Sequence, residues 1–199
     1  HVVVLPLEHD VESVQGHAGF GQLQHRAQVA GPLRAATVKV LNLASDDLSE
    51  CAGYMLDTNV FNGLIDGLVQ VEQFDGKRLF ATHVQFDELS DTPDAVRREK
   101  LQSKFSAVVD QRVPTESAVW GISRWGQANW PPRKDDYEPL LARIRELDRL
   151  AKKKKKKENQ SRDALIAVTA IKAGYVLVTS DQNLATATKE FGGAVIMPA

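Results

Sequence analysis

Four carboxylates in this 199-residue chain stand where they could do chemistry. Asp57 closes the short apolar run YMLD (Tyr54–Asp57). Glu88 follows the apolar stretch RLFATHV (Arg78–Val84). Asp163 opens DALIAVTAIKAG, and Asp181 closes YVLVTSD (Tyr175–Asp181). Acids gathered at one place cannot all stay ionised unaided, because each raises the pKa of the next. A hard divalent cation resolves the conflict. Mg²⁺ or Mn²⁺ takes oxygen ligands, keeps several waters, polarises a phosphate and acidifies a bound water. Asp57, Glu88, Asp163 and Asp181 are therefore the expected metal ligands and catalytic residues, and phosphodiester hydrolysis is the expected reaction. Each also has a plainer role open to it. Asp57, with Thr58 and Asn59, suits a turn or cap. Glu88 and its neighbour Asp87 suit a first helical turn, as does Asp163, and Asp181 suits an N-cap. Four acids at such positions in one chain favour the shared site.

The elements that must position these acids alternate. YMLD reads as a buried strand, and NVFNGLIDGLVQVEQF as a helical stretch broken by Gly63 and Gly67. RLFATHV reads as a second strand. FDELSD opens a helix, and Ala95–Gln111 forms another, with Val96, Leu101, Phe105, Val108 and Val109 on its apolar side. Asp136–Ala151 places Leu140, Leu141, Ile144, Leu147 and Leu150 on one stripe. Ser161–Gly174 is an apolar helix with Ser161 at its N-cap, Lys172 in its last turn and Gly174 past its end. YVLVTSD is a buried strand, NLATATKEFGG a last helix and AVIMP (Ala194–Pro198) a last strand. Strands alternating with helices predict an α/β fold, a parallel sheet covered on both faces. In such sheets, sites lie beyond the carboxyl ends of the strands.

Composition bounds the rest. Apolar content of 43% is enough for a core. The net charge of −1 hides a sharp local feature, the six lysines Lys152–Lys157. Without them residues 55–199 would be acidic overall. They read either as phosphate contacts that do not discriminate sequence or as a solvated, mobile linker. Cys51 is the single cysteine, so neither an intrachain disulfide nor a cysteine zinc site is expected, which fits a reducing cytoplasm. No apolar run is long enough for a membrane span. Residues 1–54 carry His1, His9, His17 and His25 at a spacing unsuited to one metal, and only Ala36–Ala44 has strand character. They read as an irregular extension before a domain over 55–199. Met55 would serve as a natural start. Trp120, Trp125 and Trp130, spaced by five, suit core or interface packing, with base stacking the alternative. His83 suits a buried structural role within its strand.

From Met55 onward the sequence resembles the PIN-domain family and, within it, the VapC-type ribonuclease toxins of bacterial toxin–antitoxin pairs. MLDTNVF is similar to the family's opening motif. THVQFDEL is similar to its second, which selects Glu88 over Asp87. DALIAVTAIKAG and YVLVTSDQNL are similar to its third and fourth. The resemblance implies a three-layer α/β/α sandwich and Mg²⁺- or Mn²⁺-dependent cleavage of RNA. It makes Asp57, Glu88, Asp163 and Asp181 the metal-binding acids, with Asn59 supporting the site by hydrogen bonding and Thr179 at the position of a site-lining hydroxyl. It also implies a homodimer and a cognate antitoxin protein as partner. The first 54 residues, the long stretch from Arg112 to Asn159 and the lysine run depart from the family pattern.

Two other classes compete. One is a catalytically silent module of the same fold that binds RNA or protein. The other is a different carboxylate–metal enzyme, a DNA nuclease or a phosphatase. Aspartate-nucleophile phosphatases usually need a second aspartate two residues on, where this chain has Asn59.

Overall fold

Three-residue strands can hold a sheet together only if both faces are buried, and here they are. In the computed structural model, which describes residues 53–130 and 136–198, β1 (Tyr54–Leu56) is flanked by β2 (Leu79–Ala81) and β4 (Val176–Val178). The edges are β3 (Gln111–Arg112) and β5 (Val195–Ile196). The order is β3-β2-β1-β4-β5 and every pairing is parallel. The two-residue period of a strand sends alternate side chains to opposite faces. Met55, Phe80 and Leu177 join one core, with Leu140, Leu141 and Ile144 of α4 (Tyr137–Leu150), Leu165 and Ile166 of α5 (Lys157–Ala173) and Leu184 of α6 (Gln182–Glu190). Tyr54, Leu56, Leu79, Val176 and Val178 join the other. There they pack with Val60 and Phe61 of α1 (Thr58–Asp66) and Leu101 and Phe105 of α3 (Ala95–Val108). The result is a three-layer α/β/α sandwich around a parallel sheet, as the alternation of elements predicts. Helix α2 (His83–Ser90) feeds both cores, Val84 one and Leu89 the other.

Local chemistry moves several boundaries. Thr82 ends the second strand early because it caps α2. Its hydroxyl accepts from Val84 N at 3.1 Å, and Gln85 Oε1 accepts from Thr82 N at 2.9 Å, a reciprocal capping box. His83 is thus the first residue of a helix and not part of a strand. Gly63 lies inside α1, and Gly67 ends it with φ +72°, a left-handed conformation that costs glycine little. Gly174 closes α5 in the same way, as expected. That helix begins four residues before Ser161. The segment Lys157–Gln160 contains no breaker, Glu158 suits its first turn, and Ser161 Oγ donates to Lys157 O at 3.1 Å instead of capping.

Other expected core positions do not hold. Val96 is 64% exposed and Leu150 62%, so α3 and α4 bury narrower stripes than their sequences suggest. Trp120, Trp125 and Trp130 are 100%, 92% and 80% exposed, so they do not belong to this chain's core. Their segment is a series of turns tied by Thr115 N to Gln127 O at 3.0 Å and Asn129 N to Thr115 O at 2.7 Å. β1 uses backbone on both sides of the expected domain start. Tyr54 N donates to Arg78 O, and Val176 N to Gly53 O, each at 2.9 Å. The four N-terminal histidines, Cys51 and the strand expected at Ala36–Ala44 lie outside the described residues. No described helix is long and apolar enough to cross a membrane.

Phe105 is fully buried, with its ring centroid 5.1 Å from that of Phe61 in a tilted contact and 5.3 Å from that of Phe86 edge-on. Phe105→Ala is expected to cost about 3–5 kcal/mol of unfolding free energy, read by urea denaturation. A loss below about 1 kcal/mol would contradict this packing.

Candidate metal centre

The chain order of the sheet reverses between β1 and β4, and the acids gather at the carboxyl ends of these strands. Asp57 leaves β1 and caps α1. Its amide donates to Val178 O at 2.9 Å, which stitches β1 to β4. Its carboxylate is 3% exposed and collects three donors. Thr58 N reaches Oδ1 at 2.7 Å, while Asn59 Nδ2 at 2.5 Å and Thr179 Oγ1 at 2.6 Å reach Oδ2. Thr179 Oγ1 in turn accepts from Asn59 Nδ2 and from Asp181 N, both at 3.0 Å. Asn59 Oδ1 accepts from Ser180 N at 3.0 Å. Asn59 and Thr179 therefore fix the orientation of Asp57 and the path of the β4–α6 turn together.

The two neighbouring acids of helix α2 meet different partners. Asp87 pairs with Arg124 at 2.7 Å, toward the tryptophan-bearing turns. Glu88 lies on the other side, where its Oε2 accepts from Thr58 Oγ1 at 2.8 Å. Asp163 sits in the second turn of α5, not the first, and is 5% exposed. Asp181 caps α6 through Asn183 N at 2.9 Å and Leu184 N at 3.4 Å.

The lysines of the run are not equivalent in the fold. Lys153 Nζ donates to Asp181 Oδ1 and Lys155 Nζ to Asp181 Oδ2, each at 3.0 Å. Lys155 Nζ also lies 2.5 Å from Asp163 Oδ2, so one ammonium bridges two of the four acids. Apart from this ion pair, no described group directs a hydrogen bond at Asp163 Oδ2. Lys152, Lys154, Lys156 and Lys157 point outward and are exposed. Lys154, Lys155 and Lys156 line a cleft of about 400 Å³ with Glu88, Asn159 and Arg162.

The electrostatics follow from this packing. Burial pushes Asp57 up to about 6, helped by the charge of Glu88 and opposed chiefly by the Thr179 hydrogen bond. Burial and the charge of Asp57 push Asp163 up to about 8, against the pull of Lys155. Burial would raise Asp181 as well, but Lys153, Lys155 and the Asn183 amide outweigh it and hold that carboxyl at about 2. Burial disfavours the Lys155 ammonium, yet Asp163 and Asp181 keep it protonated well above the ordinary lysine range.

Two residues that brace the site escape a sequence reading. Gln85 is fully buried and joins the Thr82 cap to the end of β1, its Nε2 donating to Leu56 O at 3.0 Å. Asp148, 2% exposed, receives Gln160 Nε2 and Asn183 Nδ2 at 2.8 Å each. It also holds the lysine segment, since Lys153 N donates to its carbonyl at 2.9 Å. A signal for Asp148 did exist: it falls four residues after Ile144, on the apolar stripe of α4. His83 is buried, and neither ring nitrogen makes a directed hydrogen bond. Burial holds it below its ordinary range against the charge of Asp87.

The donor set suits a hard divalent cation in kind and in charge. As they stand, with the Lys155 ammonium among them, no three His, Cys, Asp or Glu side chains of the described residues form a group that could hold an ion. The cation they meet is the lysine.

No family model matches this sequence, and no curated protein matches it. Several solved structures are similar to this chain. The chain is 16% identical to FitAcB from Neisseria gonorrhoeae, over 72% of this chain and 96% of that one, with a TM-score of 0.33. It is 18% identical to VapBC-5 of Mycobacterium tuberculosis, a member of the VapBC family of toxin–antitoxin systems, over 73% and 98%, with a TM-score of 0.36. VapBC2 from Rickettsia felis, bound to a promoter DNA fragment, is 15% identical over 73% and 98%, with a TM-score of 0.38. At these scores the likeness carries no argument about function, which rests on the chain's own residues.

Between pH 3.8 and about 8 the folded chain keeps protons on Asp57 and Asp163 that the unfolded chain has released. With divalent cations chelated, unfolding free energy should therefore fall as pH rises through that window. Asp181 acts oppositely, and its contribution is lost as pH drops from 3.8 toward about 2. Asp163→Asn should flatten the upper part of the fall, measured by urea denaturation in EDTA across pH. A stability that rises between pH 5 and 8 in the unaltered chain would contradict this electrostatic picture.

Proposed function

We propose that this protein is a Mg²⁺- or Mn²⁺-dependent endoribonuclease that hydrolyses RNA phosphodiester bonds, and the toxin of a toxin–antitoxin pair. One observation supports the reading above the others. Asp57 and Asp163 are buried at the carboxyl edge of a parallel sheet, with too little positive charge around them, beside a cleft that carries Lys154, Lys155, Lys156 and Arg162 as well as Glu88, Asp91 and Glu158. Asp57, Asp163, Asp181 and Glu88 would hold the ion. When bound, it would supply an acidified water and neutralise charge on the reacting phosphate. The chain's own residues do the rest. Asn59 and Thr179 orient Asp57, and Thr58 orients Glu88. Lys154 and Lys156 present cations along the cleft, where they would grip backbone phosphates without reading bases, while Arg162 there is paired with Asp91 and Glu158. RNA as substrate, an antitoxin as partner and a homodimer as assembly enter through the resemblance of the four motifs. They belong to the proposal.

A silent binding module is the second reading, and the Lys155 ammonium favours it, because the acids already have a cation. It predicts RNA binding without cleavage. Incubating the purified chain with total RNA, and in parallel with single- and double-stranded DNA, in Mg²⁺, Mn²⁺ or EDTA separates these readings. Cleavage of RNA that EDTA abolishes is expected. Asp57→Asn is expected to slow it by about 10²–10⁴-fold. Cleavage unchanged by EDTA and by Asp57→Asn would sink the catalytic assignment, and cleavage of DNA alone would move it to a DNA nuclease.

A further inference from the structure

Six consecutive lysines are chemically alike, yet the fold treats them differently. Asp148 sets their register. Its carboxylate is held by Gln160 of α5 and Asn183 of α6, and its carbonyl receives Lys153 N. Lys152 takes φ +54°, a conformation unfavourable for a side-chain-bearing residue. From Lys153 the chain runs outside helix and strand to Lys156, whose extended backbone precedes α5. Lys153 and Lys155 face the acids, while Lys154 and Lys156 face outward. A partly buried ammonium gains from close partners, and Lys155 finds two, Asp163 Oδ2 and Asp181 Oδ2.

We infer that Lys155 is the resident cation of the acidic site, which an incoming divalent metal ion must displace into the adjoining cleft. The inference rests on the metal-centre reading above. A Mg²⁺ or Mn²⁺ ion sits about 2.1 Å from its oxygen ligands. An ion bound to Asp163 and Asp181 would overlap an ammonium 2.5 Å and 3.0 Å from their oxygens. Charge excludes joint occupancy as well, since two cations would share a site with little water between them. The displaced side chain has somewhere to go. Lys155 already lines the 400 Å³ cleft with Lys154 and Lys156 and the acids Glu88, Asp91 and Glu158, where a carboxylate or a phosphate backbone would give its ammonium new partners. The same side chain thus neutralises the acids before a metal enters and joins the phosphate-binding cations afterwards. Lys153, paired with Asp181 alone, can remain in place.

The test is a Mn²⁺ titration of the full chain by calorimetry at fixed pH and ionic strength. It compares the unaltered chain with Lys155→Met and with Lys189→Met, which removes an exposed charge in the last turn of α6. Lys155→Met is expected to bind Mn²⁺ on the order of tenfold or more tightly, and Lys189→Met to bind like the unaltered chain. Lysine acylation of the unaltered chain, mapped by mass spectrometry, reads the same event without a variant. Lys155 should be protected in EDTA and become reactive in saturating Mn²⁺. Equal or weaker Mn²⁺ affinity in a folded Lys155→Met overturns the displacement while leaving the metal centre standing. Failure of every chain to bind Mn²⁺ overturns both. If Lys155→Met does not fold, acylation decides: a Lys155 that stays protected with Mn²⁺ bound overturns the displacement.

Discussion

Negative charge buried at the carboxyl edge of the sheet is the constraint on which the rest of this structure depends. Asp57 and Asp163 lie out of water, within reach of each other's field and of Glu88. An apolar fold tolerates such groups only if donors and cations are brought to them. Much of the architecture does so. The β4–α6 turn supplies Thr179, α1 begins with the amide of Thr58 and the side chain of Asn59, and the α4–α5 connection supplies Lys153 and Lys155. These segments are far apart in sequence and meet because β1 and β4 are adjacent at the point where strand order reverses.

The supporting groups divide the work. Asn59 and Thr179 hold Asp57 through directed hydrogen bonds, which fix geometry and favour its charged form. Lys155 answers Asp163 and Asp181 by charge on a flexible stem, a form of compensation that can be withdrawn. A rigid carboxylate beside a removable counter-charge suits a site built to exchange one cation for another. Gln85 and Asp148 stand behind these groups. One ties α2 to the end of β1, and the other ties the lysine segment to α5 and α6.

Strand alternation, the apolar runs and the glycine ends of α1 and α5 were legible because local chemistry decides them. The buried central strands, with no polar position in YVLV, required a sheet covered on both sides. Asp57 and Asp181 were readable as strand-end acids for the same reason. The lysines were not. In a homopolymeric run nothing local marks Lys153 and Lys155 apart from Lys154 and Lys156. The distinction comes from a hydrogen bond to Asp148 and from the left-handed turn at Lys152. The start of α5 was misplaced because Ser161 looks like a cap, whereas a run of charged and amide side chains can continue a helix backward without one. The tryptophans misled by type. Aromatic side chains are usually buried, but theirs sit on tight turns whose backbone bonds place them outside both cores.

The central claim is that the four acids form a cation site whose centre the Lys155 ammonium holds until a metal ion takes it. Anomalous diffraction from crystals soaked in Mn²⁺ tests it directly. The account predicts a single strong peak within bonding distance of Asp163 and Asp181, with the Lys155 side chain turned into the cleft. A peak elsewhere, or none, with Lys155 still bridging both carboxylates, would contradict it.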